Sequence, residues 1–114
     1  MIRIFEDIVA WQKAKQLSVS VYACFDGCRD FGFKDQIQRA TVSVMNNIAE
    51  GFERQTRKEF KQHLYIAKGS SAEVRSMLYL AMELGLIKSE VFEQIIAYNL
   101  ETSRLISGLI KSIE

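Results

Sequence analysis

The side chains of this chain best suited to acid/base work are Glu50, Glu73 and the single histidine, His63, all in its middle third. A pair of carboxylates acting as general acid and base needs a cleft and a substrate group between them, and nothing around Glu50 or Glu73 signals either. His63 stands between Gln62 and Leu64 on a charged stretch and reads as a solvated side chain. The inward-facing Glu-x-x-His pair that holds metals in helical bundles is missing, because Phe60 occupies the position three before His63. Cys24 and Cys28 stand one helical turn apart on an apolar face. With His63 they supply neither a fourth ligand nor a Cys-x-x-Cys spacing, so in a reducing compartment they are expected as buried thiols rather than a bridge. The stretch "GSSAE" lies mid-helix without the strand that a phosphate loop requires. No catalytic residue, metal or cofactor is expected.

Two stretches carry binding or packing chemistry instead. In "SVMNNIAEGFER", Asn47 falls about 60° from the apolar centre at Val44 on a helical wheel, whereas Asn46 lies nearly opposite it. Ser43, Asn47 and Glu50 therefore form a polar strip beside an apolar seam. A later helix offers Ser70 and Glu73 as partners, and a buried polar group must find such partners or destabilise the fold. The expected result is an interhelical hydrogen-bond network, with Gly51 and Gly69 letting the helix backbones approach. The second stretch is basic: Arg54, Arg57, Lys58, Lys61, Lys68 and Arg75 face only Glu59 and Glu73 over the same span. It is either a phosphate-binding patch or a solvated face that pairs with a neighbouring subunit, since the last helix leans acidic through Glu90, Glu93, Glu101 and Glu114 against Lys88, Arg104 and Lys111.

Four amphipathic segments must position these groups. Apolar spacings of three and four run from Asp7 to about Cys28 through Ala10, Ala14, Leu17 and Val21, and "GCRDFGF" stops them. A second helix, beginning near Lys34 or Asp35, carries Ile37, Thr41, Val44 and Ile48 and ends between Gly51 and Arg54. "TRKE" from Thr56 to Glu59 has the form of a capping box and opens the third. The third helix has two stripes, one through Phe60, Leu64, Ala67, Ser71, Val74, Leu78 and Ala81, the other through Ile66, Ser70, Glu73, Met77, Leu80 and Leu84. Gly85 and Leu86 look like a glycine C-cap, and Ser89 like the N-cap of a last helix built on Phe92, Ile96, Ile106 and Ile110. Short loops between long helices predict an all-α, antiparallel up-down-up-down four-helix bundle spanning residues 1–114 as one domain. The double stripes exceed what one bundle buries and predict self-association.

The global numbers agree with this reading. No proline interrupts the chain and 48% of it is hydrophobic, while a formal charge of +1 gives no overall case for nucleic acid, membrane or acidic ligands. The opening "MIRIFEDIVAWQKAK" lacks a signal-peptide layout and no apolar run reaches the roughly 18 residues of a spanning helix, so a cytoplasmic protein without a membrane partner is expected.

The same residues carry a family resemblance. "FEDIVAWQKA", "FGFKDQIQRATVSVMNNIAEG" and "EFKQHLYIAKGSSAEVRSML" resemble the four-helix-bundle family of proteins encoded in 23S rRNA intervening sequences, over nearly the whole chain. The most specific matches are Gln36, Ile37, Ala40 and Ser43, then Asn47 to Gly51, then Ala67, Gly69, Ser70 and Glu73. The resemblance implies a ring-like homopentamer with no established enzymatic activity. The chain is also similar to accessory variability proteins of diversity-generating retroelements, which implies a nucleic acid or a nucleic-acid enzyme as partner. Those relatives are basic, whereas this chain at +1 gives about +5 per pentamer, so nucleic-acid binding needs the Arg54 to Arg75 run concentrated on one face. The reading is a non-enzymatic, self-assembling scaffold or binding module. Its rivals are a nucleic-acid-binding assembly and an enzyme built on Glu50 and Glu73.

Overall fold

The computed structural model describes residues 1–113; Glu114 lies outside them, and with it one of the acidic residues assigned above to the last helix. A single 3-10 turn, Phe5–Asp7, leads into helices α1 (Val9–Cys24), α2 (Phe31–Phe52), α3 (Arg57–Glu83) and α4 (Ser89–Ser112). Each helix packs on two neighbours, α1 on α2 and α4, and α3 on α2 and α4, with no packing across either diagonal among the described residues. The register shows the directions. Phe25 meets Phe33 between α1 and α2, Ser43 meets Ser70 between α2 and α3, and Tyr79 meets Phe92 between α3 and α4, while Lys13 reaches Glu101 between α1 and α4. Early residues of one helix thus lie against late residues of the next. This is the all-α, up-down-up-down bundle that the periodicity predicts.

Local chemistry sets the helix ends, and some differ from the sequence reading. Helix α2 starts three to four residues earlier than expected, because the Asp30 carboxylate accepts from the Phe33 amide at 3.1 Å and caps its first turn. Gly32 therefore sits inside the helix rather than stopping the previous one. Helix α1 ends at Cys24 rather than Cys28, and the chain turns there with the Cys28 amide donating to the Phe25 carbonyl at 3.0 Å. Thr56 caps α3 by accepting from the Glu59 amide, but the Glu59 carboxylate accepts from the Thr56 hydroxyl instead of reaching the Thr56 backbone. Gly85, at φ 71°, closes α3 with its amide on the Met82 carbonyl and the Leu86 amide on that of Ala81, the pair of bonds that satisfies the last carbonyls of a helix. Ser89 is the first residue of α4; the cap position belongs to Lys88, without a side-chain bond.

The interior divides into two apolar clusters. One gathers Leu17, Val21, Phe25, Ile37, Val74, Leu78 and Ile95 near the Gly85 end, the other Ala14, Val44, Ile48, Leu64, Ala67, Ile106 and Ile110 near the α2–α3 loop. Between them lies a belt of buried polar side chains: Ser18, Thr41, Ser71, Asn99 and Thr102, one or two from each helix. Ser18, Thr41 and Thr102 donate to carbonyls of their own helices, whereas Ser71 and Asn99 bond across α3 and α4. No buried side-chain nitrogen or oxygen among the described residues lacks a partner. Burying a large apolar side chain is worth about 1.5–3 kcal/mol and a surface ion pair about 0–1 kcal/mol, so the two clusters, not the ion pairs, hold the bundle together.

Candidate functional site

The polar strip predicted on α2 faces α3. The Ser43 and Ser70 hydroxyls are 2.9 Å apart, and the Asn47 amide nitrogen donates to the Ser43 carbonyl at 2.9 Å and its hydroxyl at 3.1 Å. That leaves the Asn47 carbonyl oxygen as an acceptor, and His63 Nδ1 lies 3.0 Å from it, so Nδ1 carries the proton. His63 is not the solvated side chain that its charged neighbours implied: only 16% of its side chain is exposed. Its Nε2 lies 3.7 Å from Glu50, which also accepts from Arg54 at 3.0 Å, the first contact being an ion pair only when the ring is protonated.

Gly51 makes this crossing possible. A Cβ there would stand 2.6 Å from the His63 Cβ and 3.0 Å from the Phe60 ring, so α3 lies against bare backbone. Gly69, paired with it in the sequence reading, has a different place: it is exposed, and a Cβ would meet nothing within 4 Å. It does not set the helix approach within the chain. Glu73 also leaves the strip, since its carboxylate accepts from Gln36 at 3.4 Å on the surface. Fourteen residues of α2 separate Gln36 from Glu50, about 20 Å of helical rise, so Glu50 and Glu73 cannot act on one substrate atom within a chain. Nor do the four surface hollows of about 190, 370, 500 and 540 Å³ touch either carboxylate.

The thiols belong to the opposite end of the bundle from His63, packed on the Phe25 and Phe33 cluster. Cys24 and Cys28 are both free and partly buried; burial, and then the neighbouring Cys28, push the Cys24 pKa above its ordinary range. This disfavours the thiolate that a nucleophile or metal ligand needs. Among the described residues no group of three or more His, Cys, Asp and Glu side chains could hold a metal ion. No helix among them is long and apolar enough to cross a membrane.

The basic run divides into two places. Arg54, Arg57 and Lys58 are exposed around the α2–α3 loop, Arg54 held by Glu50, with half-buried Lys61 one turn into α3. Lys68 and Arg75 lie further along, where they line hollows between α3 and α4 together with Arg104 and Lys111. The sequence treated those two α4 residues as minor counter-charges on an acidic helix. The antiparallel register brings them to the basic edge of α3.

Asn99 was also missed, although its signal is present. The apolar seam of α4 has a gap between Ile96 and Ile106, and Asn99 and Thr102 fill it, 1% and 0% exposed.

The described residues thus form an antiparallel four-helix bundle with a polar waist. Residues 6–108 match the family of 23S rRNA-intervening sequence proteins, and the chain belongs to that family. A solved structure from Bacteroides thetaiotaomicron, a protein with unknown function from the S23 ribosomal protein family, is similar at 26% identity and a TM-score of 0.84 over 90% of this chain and 96% of that one. No curated protein matches the chain.

Proposed function

We propose that this protein is a non-enzymatic scaffold or binding module that works as a self-assembled ring, a homopentamer as its family resemblance implies. One observation carries the reading: beside its exposed Lys68, Glu73 and Arg75, α3 also exposes a run of large apolar side chains that the bundle does not cover. Tyr65, Ile66, Tyr79, Leu80 and Leu84 are each about half exposed, and exposed Gly69, Ala72 and Ser76 lie among them. Within the second stripe of α3, Met77 is buried and Ser70 and Glu73 bond to α2, while Ile66, Leu80 and Leu84 stay exposed. Tyrosines and aliphatic residues around small ones suit a helix-to-helix subunit contact, because the small residues let a second backbone approach.

A ring also needs a different, complementary patch on each chain. Val19, Tyr22 and Tyr98 supply apolar surface on the α1 and α4 side, where Val19 and Tyr98 border a hollow of about 370 Å³. Since α1 lies diagonally across the bundle from α3, the two patches face different directions, which favours a head-to-tail contact over a two-fold dimer. Light scattering on the purified protein tests the reading: a multiple of the chain mass supports it, and a monomer at every concentration removes it.

A further inference from the structure

The two cysteines of the chain are both free, and they sit where the α1–α2 turn meets the α3–α4 loop. Cys24 is the last residue of α1, and coiled backbone carries on from it to Cys28. The Phe25 amide donates to the Val21 carbonyl at 3.0 Å, the Asp26 amide to that of Ala23 at 3.4 Å and the Cys28 amide to that of Phe25 at 3.0 Å. The turn is pinned on two sides: fully buried Phe25 packs on Phe33 with ring centres 5.5 Å apart, and the Lys34 ammonium donates to the Asp26 carbonyl at 2.9 Å. Both cysteines pack against the same apolar cluster. Cys24 also lines a hollow of about 500 Å³, walled by Leu86, Ile87 and Val91 with Lys88 beside them.

We propose that Cys24 and Cys28 together chelate one monosubstituted trivalent arsenical, with its organic group seated in this hollow. Side chains four residues apart on a coiled backbone hold their Cβ atoms about 5–6 Å apart, wider than the roughly 3.5–4.5 Å that a disulfide spans, whereas one soft atom bonded to both sulfurs bridges the gap. A metal cation suits the pair poorly. Structural zinc takes four ligands, and among the described residues no third His, Cys, Asp or Glu joins the two thiols in a metal-holding group. A cation also needs thiolates, which the burial of Cys24 disfavours. The arsenical leaves no charge behind. Its two As–OH bonds break and two As–S bonds form, each thiol proton departs with a hydroxide as water, and arsenic stays trivalent. Two neutral thiols thus become one neutral chelate, which a half-buried apolar setting accepts more readily than an ion. The third bond of arsenic carries the organic group, for which Leu86, Ile87 and Val91 offer an apolar seat.

Equilibrium titration of the reduced full chain with phenylarsine oxide, read by intact mass and thiol counting, tests this. One equivalent should attach to each chain and remove both thiols from the count. The adduct should survive an excess of the monothiol glutathione and yield to a small dithiol, because only a dithiol matches a two-point attachment. Cys24→Ser and Cys28→Ser should each bind about a hundredfold more weakly and lose the reagent to glutathione, with the helical circular dichroism retained. Val91→Gln makes the hollow more polar and keeps both thiols, so it should weaken binding of the phenyl reagent by about threefold to tenfold. The wild-type chain unfolded in urea should bind about tenfold more weakly, since the pinned turn no longer holds the thiols together. A wild-type adduct lost to glutathione, a serine variant that keeps the reagent, one arsenical joining two chains, a Val91→Gln protein that binds as wild type, or equal affinity in urea would each overturn the site. Both thiols belong to one chain, so the result is independent of whether the ring forms.

Discussion

Ser70 and Ser71, adjacent in α3, reach in opposite directions: the Ser70 hydroxyl meets Ser43 of α2 at 2.9 Å, and the Ser71 hydroxyl donates to Asn99 of α4 at 2.9 Å. Two consecutive side chains thus tie three helices together at the waist between the apolar clusters. The Asn99 side chain returns a second bond to the Ser71 carbonyl at 3.0 Å, so sliding α4 by one turn would leave a buried amide without partners.

Asn99→Ala should therefore destabilise the bundle by about 1–3 kcal/mol, the cost of leaving buried groups unpaired. Ser71→Ala should cost a similar amount, and the double variant less than their sum, because the first substitution already removes the shared bond. Urea unfolding of the four proteins in this cycle checks it, and strict additivity would show that the two side chains act independently.

The two helical glycines separate packing within the chain from packing outside it. Gly51→Ala drives a Cβ to 2.6 Å from His63, so it should destabilise by about 1–3 kcal/mol of overpacking, against a helix-propensity gain of about 1 kcal/mol. Gly69→Ala meets nothing in its own chain and should leave the fold as stable or about 0.5–1 kcal/mol more so. Thermal unfolding of both variants distinguishes them; equal and opposite outcomes to these would mean that α2 and α3 do not cross at Gly51.

These positions show what was legible in the sequence. Helix number, direction and most of the core follow from the apolar period, because burying a stripe of side chains dominates the energetics of a bundle. Asn47 and Gly51 could be singled out because they interrupt that stripe. The partners could not: which α3 residue meets Asn47 depends on the register between helices, and His63 was hidden by charged neighbours that describe its backbone but not its direction. Register also explains why Glu73 is far from Glu50, and why Arg104 and Lys111 join Lys68 and Arg75. Asp30 was readable as a cap, but the two glycines around it gave the stronger local signal.

Cys24 gives the bundle a dependence on alkaline pH. Its pKa is raised in the fold by burial and by Cys28, so the unfolded chain gives up this proton first. The stability from keeping the thiol neutral is fully present below the unfolded value of about 8.5 and is lost as pH rises through the higher folded value. The urea midpoint should fall over that window, and Cys24→Ala should flatten part of the fall. Native Cys24 should also react with thiol reagents more slowly than in denatured protein; equal rates would contradict the burial.

The outer face of α3 makes a different kind of prediction. Leu80→Arg alters an exposed side chain, so in a lone bundle it should change stability by no more than about 0.5 kcal/mol. In an assembly that uses this face it places a charge in a subunit contact and should lower the mass of the particle while the helical circular dichroism persists. An unchanged particle would move the contact elsewhere.

Self-assembly is the claim on which the functional reading depends, and native mass spectrometry of the wild-type protein tests it most directly. The expected species is a single one at five times the chain mass of 13.1 kDa. A spectrum holding only the 13.1 kDa chain at concentrations where the fold is intact would contradict it.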